Sequence, residues 1–237
     1  MNTKTISEAQ EVVQNNQDYT LFSWSKQKGT NPIAVKNAEG VYLYDYDGKR
    51  YLDFSSGLMN VNIGHGDQRI TNAVVKQMQE VSYVTPSCVT KVRGELGKKL
   101  AEICPGDLNK AFFTLCGATS IENGLKLARL YTGRHKILSR YQSYHGASIG
   151  AMSASGDPRR IPVDAQQAPN FVHFDLPYLY RWEYGEENFL KESVASLERI
   201  IAYEGSGTIA AIVLEGESGS SGCLQYPVDY LKAVREI

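Results

Sequence analysis

Residues 113–129 read FTLCGATSIENGLKLAR, an apolar run that passes through a glycine turn into a helical pattern. The apolar and aromatic residues 111–115 predict a buried strand, and residues 121–128 repeat apolar side chains at the spacing of one helix face. Gly117 and Ala118 lie between these elements, where backbone N–H groups meet the positive end of a helix dipole, so the turn suits a phosphate group. A tight turn that binds nothing has the same local sequence, and this stretch alone leaves both interpretations open.

Composition narrows the class of protein. A chain of 237 residues can bury a sizeable α/β core. Its 25 basic and 26 acidic residues nearly cancel, which gives no electrostatic reason to expect nucleic acid or an anionic membrane as a partner. The four cysteines form no C-x-x-C pair, which predicts a reduced chain without a metal site. No secretory signal and no membrane-spanning run are found, so a cytoplasmic protein is expected.

The order of predicted elements indicates an α/β fold, with a central, mostly parallel sheet flanked by helices and a small N-terminal α+β segment before it. A hairpin is predicted within residues 41–53, where an Asp-Gly turn separates β-forming residues. Strands predicted at 136–139 and 172–174 alternate with helices. The uninterrupted apolar run at 208–214 is typical of a central strand covered on both faces.

The expected domain division is an N-terminal segment, residues 1–65, and a large domain, residues 66–237. The last helical pattern begins near Pro227 and stops at Ile237 without a capping glycine or polar tail. We therefore expect the large domain to be incomplete at its C-terminal end and the chain to be truncated.

Three features follow predicted strands of the parallel sheet, and ligands bind at the carboxyl ends of such strands. They are the Gly117-Ala118 turn, the Tyr144-His145 pair with its following glycine, and Glu215. Together they offer an anion cradle, an aromatic face and a carboxylate, which suits a flat, phosphorylated, heteroaromatic cofactor. Taken singly, each has a structural explanation: a core tyrosine, a turn histidine and a solvated charge. The glycine-rich residues 216–222 match neither dinucleotide nor P-loop patterns.

Several motifs follow one another along the chain. They are Ala38–Asp45 with Asp47-Gly48, Asn62–Gly66, Cys116–Ser120 with Lys126–Arg129, Thr132–Arg134, Tyr144–Gly146, and Glu215 with its glycine-rich loop. Their order resembles that of the class III aminotransferases, which are fold-type I enzymes dependent on pyridoxal phosphate. The likeness extends from Leu21 to the end of the chain and is specific to the family rather than to a substrate.

The resemblance implies a set of cofactor-binding residues: Gly117, Ala118, Thr119, Tyr144, His145 and Glu215. The backbone at Gly117 and Ala118 would hold the phosphate in place of the commoner Gly-Ser pair, which has a serine hydroxyl that alanine lacks. Thr119 is expected to supply a hydroxyl in its place. Tyr144 would stack on the pyridine ring. Glu215 takes the place of the strand-end glutamate that lies near the cofactor in this family.

The resemblance also implies a substrate-pocket wall formed by Trp24, Leu58 and Met59. Family members often carry Leu-Trp at the last two positions, so Met59 would make the wall softer and roomier. Gly216 stands where proline is usual, and we expect the loop after Glu215 to be aimed differently.

Two catalytic groups of the family, the Schiff-base lysine and the aspartate that pairs with the pyridinium nitrogen, belong beyond Ile237. This piece alone is therefore expected to be inactive. The full-length protein is expected to be a homodimeric transaminase that moves an amino group between an amine or ω-amino acid and an oxoacid such as pyruvate or 2-oxoglutarate. Two alternatives remain: an aminomutase or racemase on the same fold, and a catalytically inactive paralogue that only binds a phosphorylated ligand.

Overall fold

A computed structural model describes residues 6–183 and 185–237 of the chain. The chain divides into two units, Met1–Leu96 and Gly97–Ile237, and the division falls within a helix, Lys91–Ile103. The domain boundary expected from the sequence, between residues 65 and 66, stays a prediction.

The first unit begins with a capped helix and an antiparallel sheet. Its elements are α1 (Glu8–Tyr19), β1 (Val35–Glu39), β2 (Tyr42–Asp45) and β3 (Arg50–Leu52), with the strands in the order β1-β2-β3. Asp45 fixes the turn after β2, because its Oδ1 accepts the N–H groups of Asp47 at 3.0 Å and Lys49 at 2.8 Å. Gly48 completes the turn with φ 78°, a value that glycine adopts without strain. The predicted hairpin is confirmed.

Three helical segments follow: α2 (Ser56–Met59), α3 (Gln68–Glu80) and α4 (Lys91–Ile103). Asp67 caps α3, since its Oδ1 accepts the N–H of Arg69 at 2.9 Å, and an aspartate directly before an amphipathic run is a sequence signal for such a cap. Ile70, Val74 and Met78 repeat at the spacing of one helix face, a pattern typical of a helix that packs on a core, yet each is more than half exposed. The amphipathic pattern is thus matched by a helix, but within the described residues no element covers the apolar face of that helix.

The second unit contains the parallel sheet. Its helices are α5 (Gly117–Thr132), α6 (Ile149–Ala154), α7 (Phe189–Glu204) and α8 (Val228–Glu236), and a long 3-10 helix spans Pro158–Gln166. Its strands are β4 (Lys136–Arg140), β5 (Phe171–Phe174) and β6 (Ile209–Val213), followed by the short pair β7 (Glu217–Ser218) and β8 (Leu224–Gln225). The order β5-β4-β6 with parallel pairing confirms the predicted α/β architecture.

The core of this unit lies between the sheet and α7. Leu138 from the central strand β4, Phe174 from β5 and Leu197 from α7 are each at most 2% exposed and form one cluster. Burial of each such side chain contributes roughly 1.5–3 kcal/mol, so this layer holds the strand ends in fixed positions.

Two strand predictions are wrong in detail. Residues 111–115 form no strand: Phe112 is 69% and Leu115 is 99% exposed, and within the described residues no sheet edge pairs with them. The run at 208–214 was expected to be central, but β6 pairs only with β4 and lies at an edge of the described sheet, while β4 is the buried central strand. Apolar composition alone does not reveal which neighbour a strand has.

A helix that spans a membrane needs about 20 consecutive, predominantly apolar residues. Every helix within residues 6–183 and 185–237 is too short or too polar to span a membrane.

Candidate functional site

The Gly117-Ala118 turn forms the first residues of α5. Cys116 is the N-cap residue, in an extended conformation, and its main chain is held by the Thr119 hydroxyl, which accepts from the Cys116 N–H at 3.2 Å and donates to the Cys116 carbonyl at 2.9 Å. The first amides of a helix have no intrahelical acceptor, so those of Gly117 and Ala118 suit an anion. The Thr119 hydroxyl is engaged in capping here, and its contact with a phosphate stays a prediction.

The start of α5 also favours the charged form of a neighbouring side chain. The pKa of the Cys116 thiol is lowered, chiefly by the backbone N–H of Thr119 and next by the Thr119 hydroxyl. The same N–H groups and dipole that favour a thiolate favour a phosphate oxygen. The local electrostatics therefore agree with the anion-binding prediction.

The loop after β4 packs directly against this turn. Gly146 has φ 139°, and a Cβ built on it would lie 2.6 Å from the Ala118 Cβ and 2.8 Å from the Ala118 Cα. Glu122 of α5 ties the same loop down, since its Oε1 accepts from the Ser148 hydroxyl at 2.6 Å and from the Gly150 N–H at 2.8 Å. Only a residue without a side chain fits at position 146, and the two predicted motifs thus meet in space.

Tyr144 begins this loop, and an arginine covers its ring. The guanidinium carbon of Arg159 lies 3.8 Å from the ring centroid, and Arg159 Nε donates to Asp157 Oδ2 at 2.6 Å. Such a cation over an aromatic face fixes the ring orientation. Sequence reasoning missed Arg159, because nothing in the Pro158-Arg159-Arg160 run indicates which ring it meets.

His145 is buried beside Tyr144. Only 8% of it is exposed, and its main-chain N–H donates to the Ser155 hydroxyl at 2.9 Å. Within the described residues, the ring atom Nε2 has no hydrogen-bond partner. Burial lowers the pKa of His145, and the negative charge of Glu215 opposes that shift only in part. The imidazole is therefore neutral at pH 7, and Nε2 is a buried polar atom suited to a ligand group.

Glu215 follows β6 and lies beside Tyr144, as the strand-end argument predicts. Its Oε1 accepts the main-chain N–H of Tyr144 at 3.2 Å, and its Oε2 pairs with Arg140 Nη2 at 2.7 Å. Arg140 is fully buried at the end of β4 and also donates to the Ser218 hydroxyl. Sequence reasoning missed Arg140, although a charged residue at the end of an apolar strand was the available signal.

The three predicted substrate-wall residues lie in the first unit and share an unusual backbone. Trp24, Leu58 and Met59 have φ of 56°, 59° and 65°, and all three are more than half exposed. Non-glycine residues rarely adopt positive φ, and such strain concentrates at functional sites. The turn that carries Leu58 and Met59 is held by Asp53, whose Oδ1 accepts the Gly57 N–H at 3.0 Å.

Comparison with known proteins identifies the class of protein. Residues 24–237 match the family model described as Aminotransferase class-III, so the chain belongs to the class III aminotransferases.

Particular relatives support the same assignment. The chain is 34% identical over 227 residues to the uncharacterized aminotransferase YhxA of Bacillus subtilis, a match that covers 91% of this chain and 49% of YhxA. It superposes with TM-score 0.91 on the taurine:2-oxoglutarate aminotransferase of Bifidobacterium kashiwanohense, solved with PLP and glutamate, at 37% identity and with coverage of 98% and 53% of the two chains. An (S)-enantioselective ω-transaminase from Thermomicrobium roseum matches with TM-score 0.91, 36% identity and coverage of 98% and 55%. The chain thus spans about half the length of these relatives.

Proposed function

We propose that the polypeptide carrying this sequence is a pyridoxal-phosphate-dependent transaminase. It would move an amino group from an amine or ω-amino acid to an oxoacid such as pyruvate or 2-oxoglutarate. The observation that carries the proposal is the convergence of the Gly117-Ala118 turn, the Tyr144 loop and Glu215 in one region of the second unit. Family membership and the PLP-bound relative from Bifidobacterium kashiwanohense support it.

The residues present fit pyridoxal phosphate. The amides of Gly117 and Ala118 would hold its phosphate, and the ring of Tyr144 would stack on its pyridine ring. Nε2 of His145, which has no hydrogen-bond partner among the described residues, would offer a polar contact. Thr119 would add a hydroxyl contact to the phosphate if it turned away from the Cys116 carbonyl. When bound, the cofactor supplies an aldehyde that accepts the amino group and a conjugated ring that accepts electrons from the substrate carbon.

The chain's own residues would bind and orient rather than move protons. The Tyr144 ring, fixed by Arg159, would set the plane of the cofactor ring, and the α5 terminus would set its phosphate end. Residues 66–237 would accordingly form the cofactor-binding part of the protein.

We further propose that Trp24, Leu58 and Met59 form a wall of the substrate pocket. Their exposed apolar side chains and their strained backbone support this proposal. Met59→Trp in the full-length protein should raise KM for bulky amine donors more than for small ones. An equal change for both donor sizes would contradict the assignment.

A homodimer is the proposed assembly. The exposed stripe on α3, with Ile70 at 53%, Val74 at 56% and Met78 at 60% exposure, is apolar surface of the kind that interfaces cover. Met78→Asp should shift the full-length protein toward monomer in sedimentation velocity. Lys76→Asp, outside the stripe, is the control and should leave the assembly unchanged.

A cytoplasmic location is also proposed. All four cysteines, Cys88, Cys104, Cys116 and Cys223, are free and exposed, which suits a reducing compartment. Fractionation of cells that express the full-length protein tests this assignment.

The decisive experiment uses the full-length polypeptide with pyridoxal phosphate. It is incubated with taurine, 4-aminobutyrate or 1-phenylethylamine and with pyruvate or 2-oxoglutarate, and the amino and carbonyl products are both quantified. A transaminase forms alanine or glutamate in amounts equal to the carbonyl product of the donor. Isomerised substrate without oxoacid consumption would indicate the aminomutase or racemase, and cofactor binding without any product would indicate the inactive paralogue.

A further inference from the structure

Arg140, the last residue of β4, is a fully buried arginine next to the candidate site. Arg140 has no exposed surface, and its guanidinium reaches three acceptors: Glu215 Oε2 from Nη2 at 2.7 Å, the Ser218 hydroxyl from Nη2, and the Tyr141 carbonyl from Nη1 at 2.8 Å. It also lies 5.6 Å from the ring centroid of Tyr226. A buried charge persists only when it is paired and hydrogen-bonded, so this cluster is a built feature of the fold.

Both carboxylate oxygens of Glu215 are engaged within the protein. Oε2 pairs with Arg140, and Oε1 accepts the main-chain N–H of Tyr144 at 3.2 Å. The carboxylate therefore connects the strand-end arginine to the first residue of the aromatic loop. A place for Glu215 near the cofactor stays a prediction of the resemblance, and the contacts described here are those that Glu215 makes within the protein.

We propose that Arg140 is a positioning residue that sets the place of the Tyr144 ring by orienting Glu215. The cofactor-related part of this inference rests on the proposed function. The guanidinium of Arg140 holds the segment after β6 and the short strand β7 against the end of β4. Glu215, fixed in this way, accepts the main-chain N–H of Tyr144 and so fixes the start of the aromatic loop. The phosphate turn at Gly117 is not part of these contacts, so ring and phosphate contacts are separable.

The separation predicts a specific pattern of effects. Without the guanidinium, Glu215 has no partner that aims its Oε1 at Tyr144, and the Tyr144 N–H becomes open to exchange. Lysine keeps the charge, but its compact ammonium does not reproduce a planar fork that meets several acceptors, so Arg140→Lys should restore the hydrogen bond to Tyr144 only in part. Inorganic phosphate, which needs only the helix terminus, should bind as before.

The first test needs no cofactor. Hydrogen exchange of the full-length apoprotein is followed by mass spectrometry in the peptide that covers residues 141–148. Arg140→Met should speed exchange there about five- to tenfold, the equivalent of one missing hydrogen bond, with Arg140→Lys in between. The matched control is Glu204→Gln, which breaks the Lys136–Glu204 pair, also 2.7 Å long, at the opposite end of β4 and should leave this peptide unchanged.

Folding is checked in the same data. Exchange in the peptide that covers residues 134–139, which includes most of β4, should stay as in the parent protein. Should Arg140→Met fail to fold, Ser218→Ala removes one acceptor of the guanidinium and also the hydrogen bond from Ser218 to the Ser221 hydroxyl, which itself donates to the Gln142 carbonyl. Exchange at 141–148 should then speed about twofold or more, and by more than in Ser221→Ala, which leaves every guanidinium acceptor in place. Unchanged exchange at 141–148 in the folded variants would overturn the proposal.

The second test is binding. Arg140→Met should weaken pyridoxal phosphate about tenfold while leaving the dissociation constant of inorganic phosphate unchanged. Equal weakening of both probes, or of neither, would overturn the link through Tyr144. If the parent protein binds no pyridoxal phosphate, the proposed function fails, and the exchange experiment alone then decides the role of Arg140.

Discussion

Replacing Gly146 with alanine should separate the aromatic loop from the phosphate turn. The added Cβ would lie 2.6 Å from the Ala118 Cβ and 2.8 Å from its Cα, and the latter is helix backbone that cannot rotate away. An ordinary contact begins at 3.4 Å, so the loop must retreat by about 0.8 Å.

The magnitude follows from two terms. The backbone at φ 139° favours glycine and costs alanine about 1–3 kcal/mol, and overpacking adds about 1–3 kcal/mol. We therefore expect Gly146→Ala to lower the free energy of unfolding by about 2–6 kcal/mol if the loop stays in place. If the loop moves instead, stability is kept, and the affinity for pyridoxal phosphate falls about tenfold or more, because sub-ångström errors matter at preorganised sites.

The assay is urea unfolding followed by circular dichroism, together with a pyridoxal phosphate titration of the full-length protein. Gly124→Ala is the matched control, because a Cβ built on this glycine inside α5 meets no described atom within 4 Å apart from the backbone of its own helix. Alanine should therefore stabilise the helix by up to about 1 kcal/mol. A Gly146→Ala protein with unchanged stability and unchanged affinity would refute the reasoning about the close approach.

Three further predictions concern the same region. Tyr144→Ala should weaken pyridoxal phosphate about tenfold whereas Tyr144→Phe, which keeps the ring, should not, and equal affinities in a fluorescence titration would exclude stacking. Iodoacetamide should alkylate Cys116 faster than the exposed Cys88 at pH 7, because the helix terminus lowers the Cys116 pKa, and inorganic phosphate should slow that reaction only if it binds the turn. The pKa of His145 is lower in the folded chain than the ordinary 6.5, so the unfolded state binds the proton first as pH falls. The free energy of unfolding should therefore decline below about pH 6.5 and level off below the folded pKa, and a His145→Gln variant should show a smaller decline in urea titrations.

The parts of the fold that local chemistry controls were predictable. The turn at Asp45 and the Asp67 cap of α3 each follow from short sequence signals, and the structure has both. The parallel sheet was predicted from the alternation of strands and helices along the chain, not from any single stretch. Residues 111–115 and the β6 run were misjudged because strand pairing depends on neighbours distant in sequence, which apolar composition does not identify.

In the candidate site, too, the residues with local sequence signals were predicted, and those whose roles depend on three-dimensional contacts were not. The sequence indicated Gly117, Tyr144 and Glu215 as candidates because glycine turns and strand ends have sequence signatures, and their roles toward a cofactor stay predictions. Arg140 and Arg159 were missed because their roles depend on what they meet in three dimensions: a carboxylate 75 positions away in one case and a tyrosine ring in the other.

The positive φ angles of Trp24, Leu58 and Met59 restrict which mutations can usefully be made in the proposed substrate wall. Asparagine, aspartate and glycine tolerate this backbone, whereas valine, isoleucine and threonine would force the chain into another path before their chemistry was tested. In libraries that sample all amino acids at these positions, changes in specificity would therefore be mixed with changes in loop geometry. Natural substitutions there should likewise favour residue types that tolerate a positive φ.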